Sequence, residues 1–311
     1  MNDTAATPAQ GEGVAPDNPF QRLRTRLLIP WVIAGTVVLM IVLGALTEVA
    51  GLALGRNLWG NPATREIVAM FAGYGALAIW LLWAGRRAGI DFRRLIGRVP
   101  DGHDWLITAG LLAVTMAFSL GSWEVVAYTM SRLAPGLLTW LLEALATPPG
   151  GTFGHDLGWI VVGVLLAPVL EEVLFRGMLM SRWGVKWGIR TGIVVSAVCF
   201  GILHANAIGI TVVGLVATIL YLRTRTLIVP IAFHAANNAV ATVAGFASGS
   251  DEPLDAAAVM HDTDGWYAFL LVIVSLPVLA WYLWRYWPER DATLPYMGDA
   301  LASDPSPDEP G

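Results

Sequence analysis

The chain has 311 residues, 56% hydrophobic and only 14% charged, with a formal net charge of −5. A soluble domain carries about 25% charged residues, so this composition excludes an ordinary soluble domain and points to an all-α, polytopic transmembrane bundle. Fourteen Trp and 33 Gly suit that class, since Trp anchors membrane interfaces and Gly lets helices approach closely. No basic block with interleaved aromatics is present, so no nucleic-acid partner is expected. Cys199 is the sole cysteine, which excludes an internal disulfide and a Cys-based metal site. Lys186 is the sole lysine among 19 basic residues; that skew, with heavy use of Ala and Gly, suggests a GC-rich bacterial genome.

Residues 1–20 are rich in Ala, Pro, Gly and Asp and are predicted to form a disordered tail. Residues 289–311 have a similar, acidic character and are read the same way. The stretch between, 21–288, is read as one membrane domain. A helix needs about 20 mostly apolar residues to cross the hydrocarbon. On that criterion eight spans are predicted, near 27–54, 66–84, 105–130, 157–180, 189–206, 208–222, 226–247 and 266–287. The sixth is short and its boundary with the fifth is tight. The amphipathic stretch 133–147 is too short to span and is read as an interfacial helix. The first apolar run is about twice a typical signal-peptide core and lacks a clear cleavage site, so it is expected to be retained.

Basic residues test the count. Arg22, Arg24 and Arg26 precede span one; Arg86, Arg87, Arg93, Arg94 and Arg98 follow span two; Arg182, Lys186 and Arg190 follow span four; Arg223 and Arg225 follow span six; Arg285 and Arg290 follow span eight. The alternate loops are poorer in Lys and Arg, and 248–264 holds Asp251, Glu252, Asp255, Asp262 and Asp264. By the positive-inside rule this pattern places both termini in the cytoplasm of a cell-membrane protein.

Ionisable residues inside spans are costly and by default mark function or a specific pairing. Span four carries Glu171 and Glu172 after an almost wholly apolar run, with Arg176 four residues beyond Glu172. That spacing places Glu172 and Arg176 on one helix face. It accounts for one carboxylate as half of a structural ion pair and leaves Glu171, about 100° away, for proton chemistry. Span five carries His204 near its end. Span seven carries His234 and Asn238 one turn apart, and Asn237 pointing elsewhere. At 1.5 Å per residue, these groups lie about 16 Å (Glu171), 22 Å (His204), 12 Å (His234) and 18 Å (Asn238) from the cytoplasmic ends of their spans. A shared depth permits shared chemistry: a carboxylate as general base, a neutral His beside it, and a His–Asn pair donating to an oxyanion. Ser196 and Cys199 have no obvious partner for nucleophilic catalysis.

The segments EEVLFR (Glu171–Arg176), FGILH (Phe200–His204) and HAANN (His234–Asn238) resemble the EExxxR, FxxxH and Hxxx(N/D) motifs of the CPBP intramembrane proteases. That family includes the Rce-type CAAX prenyl endopeptidases and bacterial Abi proteins. The resemblance covers about residues 155–245. It implies an endopeptidase in which Glu171 activates water with His204 beside it. Glu172, Arg176 and Phe200 would support the site, and His234 and Asn238 would stabilise the oxyanion. The implied substrate is a peptide or membrane-protein segment in the lipid bilayer. The metal question stays open, because Glu171, His204 and His234 could supply three ligands to a divalent ion such as zinc. The competing readings are a proton-coupled transporter, a non-catalytic scaffold derived from the protease, and a haem protein with His204 and His234 as axial ligands.

Overall fold

The computed structural model describes residues 18–145, 153–248 and 266–298, which form helices joined by short turns and contain no strand. In chain order the helices are α1 (Leu28–Leu54), α2 (Pro62–Ala88), α3 (Phe92–Ile96), α4 (Trp105–Leu133), α5 (Pro135–Leu145), α6 (Phe153–Trp187), α7 (Ile189–Ile202), α8 (Ala207–Thr224), α9 (Ile228–Ser248) and α10 (Trp266–Tyr286). Their boundaries follow local chemistry. Asn61 caps α2 by accepting from the Ala63 N–H, Pro62 supplies a preset φ at the first turn, and Gly89 ends the helix at φ 82°. Asp104 caps α4 by accepting from the Leu106 and Ile107 N–H groups. Gly188 breaks α6 from α7 at φ 88°.

Seven of these helices are long and apolar enough to cross a membrane. The eighth apolar helix, α7, has only 14 residues. It stops at Ile202, short of the expected 206, and leaves His204 in a turn rather than on a helix. The ends of the described chain decide whether α7 counts as a crossing. Phe20 and Tyr296, both buried, meet edge to face with ring centroids 5.1 Å apart. Seven crossings would leave these residues on opposite faces of a bilayer, whereas eight bring them to the same face.

That contact also corrects the expected tails. Asn18 accepts from the Phe20 N–H and starts a short turn that buries Phe20, and Leu294 and Tyr296 are buried at the other end. The packed domain therefore reaches past both expected boundaries, because two aromatic residues in polar, Pro-containing surroundings find each other across the chain. The rest of the tails and residues 249–264 of the acidic loop lie outside the described residues.

The helices form an unequal bundle. α1 turns Ile29, Ile33, Val37 and Ile41 outward and leans on α2, where Trp31 and Trp83 stack at 5.3 Å. The most enclosed helices are α6 to α8. Phe175, Met178, Ile193, Phe200 and Tyr221 belong to one buried cluster, and Val213, Val216, Ile219 and Phe233 to a second. Gly192 shows how tightly these helices sit: a Cβ there would lie 2.6 Å from the Gly184 nitrogen and 2.7 Å from the Met180 oxygen. The short helix α5 buries Leu138 and Leu142 beside Trp123 and Met130 of α4.

Candidate active site

α6 is an interrupted helix. Two π-helical stretches, Ile160–Leu166 and Val173–Leu179, bracket the α-helical turn Ala167–Glu172 that carries both glutamates. In the first stretch the Ala167 N–H bonds the Val162 oxygen, five residues back. In that register the next N–H would bond the Gly163 oxygen, but residue 168 is proline and has none to give. Asn238 Nδ2 of α9 donates to this carbonyl instead, at 2.8 Å. A backbone acceptor in the membrane interior is thereby satisfied from a neighbouring helix, as bilayer burial requires.

The two glutamates have different surroundings. Glu172 is fully buried, and its Oε1 accepts from Arg176 Nη1 at 2.8 Å and from His234 Nδ1 at 2.9 Å. Arg176, also fully buried, donates through Nη2 to the Gly214 oxygen at 3.1 Å and lies over the Phe200 ring at 4.4 Å. Glu171 retains 13% side-chain exposure. Its Oε1 accepts from the Tyr74 hydroxyl at 2.7 Å, and its Oε2 stands 3.8 Å from His234 Nε2. That distance is a charge contact and too long for a hydrogen bond. His234 therefore bridges the pair, with Nδ1 on Glu172 and Nε2 facing Glu171.

Because the Glu172 carboxylate pairs with Arg176, it is an acceptor, and His234 Nδ1 must be the protonated nitrogen. This fixes the ring and aims Nε2 at Glu171. His204 is held differently. Its Nδ1 donates to the Phe200 oxygen at 2.8 Å and its ring packs 4.8 Å from that of Phe200. In the neutral ring Nε2 then carries the lone pair. The turn bearing His204 is tied to α4 through Asn206, whose Nδ2 donates to the Ser119 oxygen at 2.7 Å and contacts Ser119 Oγ at 2.9 Å. Phe200 also lies 5.5 Å edge-on from His234 and beneath Arg176, so it touches three of these groups.

Six of the seven expected residues thus gather around α6: Glu171, Glu172, Arg176, Phe200, His234 and Asn238. His204 joins through Phe200, and among the described residues no hydrogen bond links it to either glutamate. Asn238 is engaged with backbone and accepts from Asn237 Nδ2 at 3.3 Å, leaving one of its own amide hydrogens uncommitted among the described residues. Sequence reasoning missed Tyr74, Asn206 and Ser119. It also missed a second polar cluster near the starts of α2 and α6, in which His155 lies between Glu66 at 3.2 Å and Asp156 at 3.3 Å. Trp159 Nε1 donates to Glu66 there at 3.2 Å.

The three residues considered as zinc ligands do not converge. Among the described residues no three His, Cys, Asp or Glu side chains gather so as to hold a metal ion. The donor set does not fit a resident metal.

The fold and this cluster define a multi-span helical membrane protein with a glutamate–arginine–histidine centre within its helices. Residues 153–240 match the family described as type II CAAX prenyl endopeptidase, Rce1-like. A stretch of 78 residues is 33% identical to a Bacillus subtilis (strain 168) protein named "Putative membrane peptidase YdiL", covering 24% of this chain and 32% of that protein. The chain therefore spans about a third of the curated relative it matches. No solved structure matches the chain. The matched segment 153–240 contains all three motifs by which the chain resembles the CPBP family.

Proposed function

We propose that this protein is an intramembrane endopeptidase in which Glu171 activates water to hydrolyse a peptide bond. The observation that carries the reading is the division of labour between adjacent carboxylates. Glu172 is sealed and held by Arg176 and His234, whereas Glu171 is partly open and, among the described residues, keeps one oxygen outside any hydrogen bond.

In the proposed reaction Glu171 takes a proton from water as the oxygen adds to the substrate carbonyl. The carbonyl π electrons become an oxyanion, which the uncommitted Asn238 N–H stabilises, joined by His234 Nε2–H when that ring is doubly protonated with Nδ1–H still on Glu172. The intermediate collapses with loss of the C–N bond, and Glu171 returns its proton to the leaving amine. His204, held through Nδ1 on the Phe200 oxygen, uses its Nε2 lone pair to accept from the attacking water and orient it. Substrates are peptides or membrane-protein segments. The basic loops support an orientation in which Phe20 and Tyr296 lie on the cytoplasmic side.

The test is cleavage of a quenched peptide library by purified, detergent-solubilised protein, comparing wild type with Glu171→Gln. The expected loss is about 10²- to 10⁴-fold in kcat. Cleavage by wild type should survive a zinc chelator, since the donors do not converge. Equal cleavage by both proteins would reject Glu171 as the base.

A further inference from the structure

We infer that Tyr74, on α2 and outside the matched segment, is a positioning residue for Glu171; the inference rests on the proposed base role of that carboxylate. The Tyr74 hydroxyl donates to Glu171 Oε1 at 2.7 Å. Glu171 has two oxygens, and only a carboxylate held in one rotation presents the same oxygen to water in every turnover. Tyr74 fixes Oε1 from the α2 side, so Oε2 is the oxygen left to face His234 and the substrate. A hydrogen bond to an ionised acceptor is among the stronger neutral-donor contacts and is directional. The protein thereby imposes on Glu171 the orientation that positioning by bound substrate alone would have to select each time.

α2 is placed to make this contact independently of Tyr74. Glu66, eight residues before Tyr74, is fastened to His155 and Trp159 at the start of α6. Gly158 of α6 also abuts Ile67, with its Cβ position 2.9 Å from Cδ1. The two helices thus remain side by side if the Tyr74 hydroxyl is removed, and loss of that hydroxyl is a local event. Between Glu66 and Arg86, Tyr74 is the sole residue with a hydroxyl. Its effect on Glu171 is therefore not duplicated by a neighbour on α2.

The experiment compares Tyr74→Phe and Glu66→Gln with wild type in the full-length protein. Tyr74→Phe keeps the ring and removes the donor. The expected result is a fall in kcat of about 10- to 100-fold, from the loss of a hydrogen bond to a charged group, with KM and thermal midpoint unchanged. Glu66→Gln weakens the other fastening of α2 and should leave kcat unchanged. In a Glu171→Asp background, Tyr74→Phe should cost much less than in wild type, because the two residues act as one unit. A second readout needs no substrate. The infrared carboxylate stretch of Glu171, isolated by subtracting the Glu171→Gln spectrum, should move in Tyr74→Phe and stay put in Glu66→Gln. An unshifted band, an unchanged kcat, or a kcat loss matched by Glu66→Gln would overturn the positioning role. A shifted band in a protein that cleaves nothing would uphold the contact's effect on Glu171 while counting against the protease reading.

Discussion

Two histidines in this protein sit between two carboxylates, and only one of them belongs to the chemistry proposed. His155 lies between Glu66 and Asp156 near the starts of α2 and α6, where Asp156 is 37% exposed. His234 lies between Glu172 and Glu171 in the interior of the bundle, and there Glu172 is fully buried beside Arg176. The outer cluster is near enough to the polar boundary for water to share the work of solvation. The inner one is not, so the protein supplies its own cation, a backbone acceptor from Gly214 and the face of Phe200 to hold that cation. Similar residue triplets therefore have different duties in the proposed reading: the outer fastens helices, and the inner would poise one carboxylate by immobilising the other.

The largest effect expected from this comparison is at Arg176. Arg176→Ala strands Glu172 in an apolar interior, and breaking a buried pair by removing one partner costs about 3–5 kcal/mol. The thermal midpoint in detergent should fall sharply, with activity lost alongside it. Glu172→Gln in the same background removes the stranded charge and should recover part of the midpoint without recovering activity. If Arg176→Ala folded as stably as wild type, the inner cluster would need no internal cation and the contrast with His155 would collapse.

Much of the inner cluster was legible from sequence because charge in an apolar run has few explanations. Glu171, Glu172 and Arg176 stood out by residue type, and the four-residue spacing already paired the latter two. His234 and Asn238 stood out by sharing a face. What stayed hidden depended on other kinds of information. Tyr74 is an ordinary residue for a membrane helix, and its significance comes from the packing of α2 against α6, which no local pattern encodes. A usable signal existed: it is the lone hydroxyl in that span, at a depth similar to that of Glu171. The π stretches of α6 leave no mark on hydrophobic periodicity when nearly every residue is apolar. The expected end of span five at 206 overshot because Leu203 and Ala205 continue the apolar composition past the point where α7 stops at Ile202. The expected tails were too long because Phe20 and Tyr296 gain their burial only from each other and from the core around them.

A smaller effect separates the two duties of Asn238. Its Nδ2 satisfies the Gly163 carbonyl that Pro168 cannot reach, and its second amide hydrogen is the proposed oxyanion donor. Asn238→Ala should therefore lower both stability, by about 1–3 kcal/mol for an orphaned buried acceptor, and kcat, by about 10²-fold or more for a lost oxyanion donor. Pro168→Ala offers a way to divide them. Residue 168 then has an N–H of its own, in the register that Ala167 already uses with Val162. In that background Asn238→Ala should cost about 1 kcal/mol less in stability, while the kcat loss remains in full. Recovery of activity together with stability would make Asn238 a helix fastener of the same kind as Glu66, and the oxyanion would then depend on His234 alone. Failure to recover stability would mean that the Gly163 carbonyl is not the acceptor that Pro168 leaves open.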